Sequence, residues 1–139
     1  MAQDFHVSIL SPSAKVMECQ AKSLIVPGSQ GYMTILPDHA QMVAELGFGE
    51  LTMETGESNK SVYFLSGGFV EVEGGDVVIL ADVVEAAPKI DMERAKASRD
   101  RALQRLEASD DIDVDRANQA LRRAEVRIMV AQTLAAVSK

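Results

Sequence analysis

The sequence predicts an α+β chain in which a body of short β-strands is followed by two helices. Three observations carry this. Up to about Ala87 apolar residues recur at every second position or in short β-branched runs, and from Asp91 onward they recur at every third or fourth. Such a change of period marks a passage from strand to helix. A helix-entry signal stands twice, as Ile90-Asp91-Met92-Glu93-Arg94-Ala95 and as Ile112-Asp113-Val114-Asp115-Arg116-Ala117. Charge divides at the same place: residues 1–90 carry a net of −8, residues 91–139 a net of +1, and all eight arginines follow Ile90. The boundary is set at 1–87 for the β body and 88–139 for a helical hairpin.

The strands are read from Phe5 to Ala81 between turn signals: Phe5–Leu10, Lys15–Glu18, Ala21–Val26, Tyr32–Leu36, Gln41–Leu46, Gly49–Met53, Ser61–Ser66, Gly68–Glu73 and Asp76–Ala81. The last two flank Gly74-Gly75, a two-residue hairpin signal that tolerates positive φ. Strands this short and this closely spaced suggest a sandwich or a barrel, not a βαβ fold. Val77-Val78-Ile79-Leu80-Ala81 is apolar throughout and is expected to be buried on both faces.

Pro88 disfavours helix at Ala87 and forces an extended approach. Asp91 is then a good N-cap for a first helix reaching about Ala108, and Glu93 lies in the turn where the dipole favours negative charge. Ser109-Asp110-Asp111-Ile112 is short enough to make the next helix an antiparallel neighbour. That helix runs from Val114, after Asp113, to about Ala136, leaving Ser138-Lys139 outside it. Val114, Ala117, Leu121, Ala124, Ile128, Ala131 and Ala135 step by three and four, a heptad seam. Its counterpart on the first helix is Met92, Ala95, Ala102, Leu103 and Leu106, interrupted by Arg99. Alternate alanines allow close approach but bury little, because a methyl contributes only about 0.8 kcal/mol. The hairpin is therefore expected to be stable mainly when docked, and its docking to be marginal.

Composition bounds the function. With 139 residues, a quarter of them charged, the chain fits a soluble globular domain, or a small one with an appendage. No apolar run approaches a membrane span. The N-terminal residues lack the basic start and apolar core of a signal peptide, and the single Cys19 suits a reducing compartment, so a cytoplasmic setting is expected. Two histidines, His6 and His39, do not make a zinc site or a cupin-like metal centre. There is no Walker glycine loop and no Gly-x-Ser-x-Gly elbow. His39, after Pro37-Asp38, reads as a turn or packing residue, since no nucleophile signature accompanies it. Nucleic acid is a poor partner, because the helices lack aromatics and the body is acidic. Arg94, Arg101 and Arg105 lie near one face of the first helix, and Arg116, Arg123 and Arg127 near one face of the second. These stripes either converge on one anion or form exposed ion pairs with Glu93, Asp100 and Asp115.

Several words recur in a fixed order. They are Gly31 with Ile35-Leu36-Pro37-x-His39-Ala40, then Ser66-Gly67-Gly68-Phe69-Val70-Glu71-Val72, then Val77-x-Ile79-Leu80-Ala81, then Ile90-Asp91-x-x-Arg94-Ala95. In these the chain resembles the epsilon subunits of bacterial F-type ATP synthases, counterparts of the mitochondrial delta subunit, along essentially its whole length. The resemblance implies an N-terminal β-sandwich of about ten strands and a C-terminal antiparallel two-helix hairpin. It implies a non-catalytic rotor part of the central stalk. The sandwich would bind the gamma subunit and the c-ring, coupling proton-driven rotation to ATP synthesis. The hairpin would restrain ATP hydrolysis when extended into the alpha/beta head. The complex would sit at the cytoplasmic face of the bacterial plasma membrane, with this chain peripheral.

The same resemblance implies site residues. No cofactor is required, but some members bind ATP as a regulatory ligand. Their motif falls on Ile90, Asp91, Arg94 and Ala95, with Glu85, Arg101, Arg123 and Arg127 at the further positions. Pro88 and Arg122 depart from the tight binders. The basic helix faces, Arg116 and Arg122 among them, would meet an acidic region of the catalytic beta subunit. Tyr32 and Met33 replace a commoner Glu/Leu pair near the ring-facing loop, Asp38 stands where Gly is usual, and Gln41 where Pro is usual. His39 would be a gamma-facing contact or a turn residue. The rival reading is a free-standing nucleotide-sensing regulatory module that does not need the synthase.

Overall fold

The computed structural model describes residues 4–56, 59–108 and 114–137. The chain divides into two compact units, Met1–Ala86 and Ala87–Lys139.

The first unit holds seven strands: β1 Phe5–Ser11, β2 Ala14–Ala21, β3 Ser23–Gly28, β4 Gly31–Ile35, β5 Met42–Thr55, β6 Asn59–Glu73 and β7 Asp76–Ala86. They form one continuous sheet in the order β2-β1-β7-β6-β5-β3-β4. All neighbours are antiparallel except β1 and β7, which run parallel. The sheet folds over on itself. In a flat sheet β2 and β5 would lie four strand spacings apart, about 19 Å. Instead the Cys19 thiol on β2 donates to Met53 Sδ on β5 at 3.6 Å. The interior between the two halves is filled by Val7, Ile9, Leu24, Val26, Leu51 and Val70, all fully buried. Each such side chain contributes about 1.5–3 kcal/mol on burial, so a sandwich of this size has an adequate core.

Nine segments were expected from turn signals, and about ten strands from the family resemblance; seven are formed among the described residues. Gln41–Leu46 and Gly49–Met53 join through Gly47 as β5, and Ser61–Ser66 joins Gly68–Glu73 through Gly67 as β6. The glycines bend long strands from one half of the sandwich to the other; they do not end them. Gly67 and Gly68 have φ of 67° and 116°, and the β5–β6 register skips Gly47 and Gly67 together. The register is the same on both sides of the skipped pair, so the strands bend without a bulge, through positive-φ backbone that glycine adopts without steric cost. The Gly74-Gly75 hairpin forms as expected, with Glu73 opposite Asp76 and Gly74 at φ 60°.

The run from Val77 to Ala81 corrects another expectation. Val77, Ile79 and Ala81 are buried, whereas Leu80 is 52% exposed and Val78 only half-buried. The sheet has one face in the core and one in solvent, so an all-apolar run cannot be buried on both sides.

Asp38 is, among the described residues, the single non-glycine residue in the left-handed region, at φ 65°. The turn it occupies is closed by the His39 backbone N–H donating to the Leu36 carbonyl at 3.2 Å. A short polar side chain tolerates this conformation better than a branched one. Asp38→Gly is expected to keep stability within about 0.5 kcal/mol of the parent or raise it, and Asp38→Val to lower it by about 1–2 kcal/mol. Urea unfolding of the three proteins checks the order.

The second unit begins with a 3-10 turn, Ala87–Lys89, followed by α1, Met92–Ala108, and α2, Val114–Val137. The helices pack as a hairpin, and the 3-10 turn packs against α2. The alanine seam is confirmed: Ala95, Ala102, Ala117 and Ala124 are buried, with Met92, Leu106, Leu121 and Ala131 half-buried. Leu103 and Val114 depart from it and are exposed. Leu103 follows Ala102 by 100° around the helix axis, which turns it out of the contact, and Val114 is the first residue of α2. Val130, off the heptad line, is fully buried. The expected connection Ser109–Ile112, the Asp113 cap, the Ala135 side chain and Ser138-Lys139 lie outside the described residues.

Candidate functional site

The start of α1 explains why Ile90-Asp91-x-x-Arg94-Ala95 is written as it is. The Arg94 backbone N–H donates to Asp91 Oδ1 at 3.1 Å, and the Ala95 N–H donates to the Asp91 carbonyl at 3.0 Å. Asp91 is thus the N-cap and also accepts the first helical bond. Ile90 and Ala95 are buried, and Arg94 is exposed. Of the four motif residues, Ile90, Asp91 and Ala95 have structural duties, and the Arg94 side chain is exposed. Asp91→Ala is expected to remove about 1 kcal/mol from the first turn of α1. Hydrogen exchange at residues 94 and 95 should then quicken about fivefold, and unchanged rates would show that the cap is dispensable.

The remaining candidates for the nucleotide are spread between the units. Arg101 is exposed on α1, and its Nη2 donates to Ser98 Oγ at 3.0 Å. Arg123 and Arg127 stand one turn apart on α2 and are half-buried. Glu85 belongs to the other unit, half-buried on β7 and in register with Phe64. Arg105, Arg116 and Arg122 are exposed. Of the ion pairs expected within the stripes, Asp100 is engaged, but by the neighbouring Arg99, whose Nε donates to Oδ1 at 3.3 Å.

In the sheet unit, Tyr32 is 58% exposed, yet its hydroxyl accepts the Glu50 N–H at 3.1 Å. The ring passes over Gly49, where a Cβ would meet both the Tyr32 hydroxyl and the Pro27 ring at 2.7 Å. Tyr32 therefore ties edge strand β4 to β5, across β3. Met33 is half-buried against the core and offers little of its side chain to a partner. His39 Nδ1–H donates to the Ala40 carbonyl at 2.8 Å beside the Leu36–His39 turn.

Among the described residues, three groups outside these candidates have shifted titration. Burial pushes the Cys19 thiol up, so it is held protonated and poorly nucleophilic. Burial also raises the Tyr63 phenol, with a further push from Cys19. Glu18 is lowered chiefly by its hydrogen bond from Lys15 at 2.7 Å. Among the described residues no three His, Cys, Asp or Glu side chains are grouped to hold a metal ion.

The largest unassigned feature is the outer face of the sheet. Phe69 and Leu80 are each 52% exposed and face one another across β6 and β7; Val43 on β5 is 68% exposed. Leu10 on β1 continues the row beyond Leu80. A groove of about 430 Å³ runs along it, lined by Leu10, Glu45, Leu46, Phe69, Leu80 and Asp82 among others. The parity of the strands held the signal for this face. Phe69 shares its parity with Glu71 and Glu73, and Leu80 with Asp76 and Asp82, so both stand on the polar side.

Two family models cover nearly the whole chain. The beta-sandwich domain of the ATP synthase delta/epsilon chain matches residues 4–87, and its long alpha-helix domain matches residues 89–132. The chain belongs to the ATP synthase delta/epsilon family. Family members named ATP synthase epsilon chain are similar along most of their length. That of Moorella thermoacetica is 40% identical over 127 residues, 91% of this chain and 95% of the relative. That of Desulforamulus reducens is 41% identical over 133 residues, 95% of this chain and all of the relative. The fold is shared with a chain of the Euglena gracilis mitochondrial ATP synthase, OSCP/F1/c-ring structure, at TM-score 0.71 and 20% identity, covering 98% of this chain and 82% of that one. A chain of the Tetrahymena thermophila central stalk/c-ring structure matches at TM-score 0.57 and 14% identity, covering 96% and 97%. No described helix is long and apolar enough to cross a membrane.

Proposed function

We propose that the chain is the epsilon-type rotor subunit of an F-type ATP synthase: non-catalytic, held in the central stalk, and peripheral to the membrane at its cytoplasmic face. The sandwich binds the gamma subunit and the c-ring and carries proton-driven rotation toward the catalytic head. The hairpin restrains ATP hydrolysis by reaching the alpha and beta subunits, with Arg116 and Arg122 among the exposed cations offered to an acidic surface.

The observation that carries the reading is the division of labour within a family-matched chain. One unit has a well-filled core yet leaves Val43, Phe69 and Leu80 exposed on one sheet face. The other is joined through alanines, a seam that buries little area and so favours a hairpin able to change partners. An apolar face of this kind on a folded unit marks a protein interface. It is the surface we assign to gamma.

ATP is proposed as a regulatory ligand of the hairpin, with Arg94, Arg101, Arg123 and Arg127 supplying the phosphate contacts, alongside Glu85, Ile90, Asp91 and Ala95. Equilibrium dialysis at millimolar ATP tests this, and no binding removes it. The function as a whole is tested by ATP hydrolysis of the assembled complex carrying either the full chain or a chain ending at Ile90. Hydrolysis is expected to rise several-fold on truncation while association with gamma persists. Equal rates would sink the inhibitory role; failure of the full chain to associate with gamma would sink the rotor role.

A further inference from the structure

The outer-face groove carries charges that an apolar docking surface does not need. Glu45 is the cross-strand neighbour of Phe69, on the same face, and Asp82 follows Leu80 by two residues on β7, again on that face. The Asp82 carboxylate lies over Gly67, where any Cβ would collide with it. Both carboxylates line the groove. Among the described residues neither has an ion-pair or hydrogen-bond partner, whereas the nearby Glu18 is held by both Lys15 and His6 at 2.7 Å.

Covering this groove with a purely apolar surface would strip water from two unpaired carboxylates, and the desolvation cost would offset the gain from Phe69 and Leu80. The penalty disappears only if the occupant brings its own donors. The surrounding field has the same sense, since residues 1–90 carry a net of −8. We infer that the groove selects a polypeptide segment presenting an apolar side chain beside a lysine or arginine. The apolar residue seats between Leu10, Phe69 and Leu80, and the cation is held by Glu45 and Asp82. In this arrangement the apolar anchors supply most of the affinity, and the carboxylates supply encounter rate and register.

This rests on the reading of the face as the gamma-binding surface, and the experiment separates the two. The full chain is titrated with its cognate purified gamma subunit at about 50 and 500 mM salt, a range over which exposed charge pairs are progressively screened. Phe69→Ser and Leu80→Ser, both at exposed positions, are expected to weaken binding at least tenfold at either salt. The double variant Glu45→Gln/Asp82→Asn keeps the shape of the groove. It is expected to weaken binding about fivefold at low salt and to remove most of the parent's salt dependence. If the apolar variants fail to bind while the amide variant keeps parental affinity and salt slope, the cation requirement is overturned and the docking face stands. If the apolar variants bind normally, the face itself is wrong and the inference falls with it.

Discussion

Alanine at Gly68 is expected to cost the sheet unit about 3 kcal/mol or more, a large share of the stability of a domain of this size. Gly68 sits at φ 116°, a region closed to side chains, and a Cβ built there falls 1.8 Å from the Leu80 carbonyl oxygen. The obstacle is backbone of the adjoining strand, not the flexible end of a side chain. Relief would require β6 and β7 to separate at the point where the Gly68–Ala81 and Phe69–Leu80 register is set. Gly75→Ala is the control, because nothing lies within 4 Å of its Cβ and its expected effect is below about 0.5 kcal/mol. Urea unfolding followed by hydrogen exchange at residues 62–81 reads both. A Gly68→Ala protein within 1 kcal/mol of the parent would show that the bend can rearrange, contrary to the geometry.

Ile79→Ala and Leu80→Ala form the second prediction, two adjacent residues of one apolar run with opposite fates. Ile79 is fully enclosed by the core, and truncation there is expected to cost about 2–5 kcal/mol through lost transfer energy and the cavity left behind. Leu80 stands half in solvent, so its truncation is expected to change stability by less than about 0.5 kcal/mol. Its effect should appear in association with gamma. Equal destabilisation by the two variants would mean that the outer face is covered within the chain itself and is not an interface.

The contrast between those neighbours shows where the letters ran out. Alternation within β6, with Val70 and Val72 against Glu71 and Glu73, was readable, as were the Gly74-Gly75 hairpin, the Asp91 cap and the alanine seam of the hairpin. All are local: each depends on residues within a few positions of one another or on a period along one element. The sequence also carried the family's words in order, and with them the two-part architecture.

What only tertiary structure decided was which neighbours those elements found. Gly47 and Gly67 read as strand ends by local rules, but their register across β5 and β6 makes them a shared bend, so nine segments became seven strands. Tyr32 read only as a residue near the ring-facing loop; the pairing of β4 with β3 shows that its hydroxyl also reaches the Glu50 amide. Leu80 read as core, but a sheet folded over on itself has a single interior, and the parity of β7 put Leu80 outside it. Periodicity along a chain says which residues share a face; only the pairing of distant strands says whether that face meets the core, water or a partner.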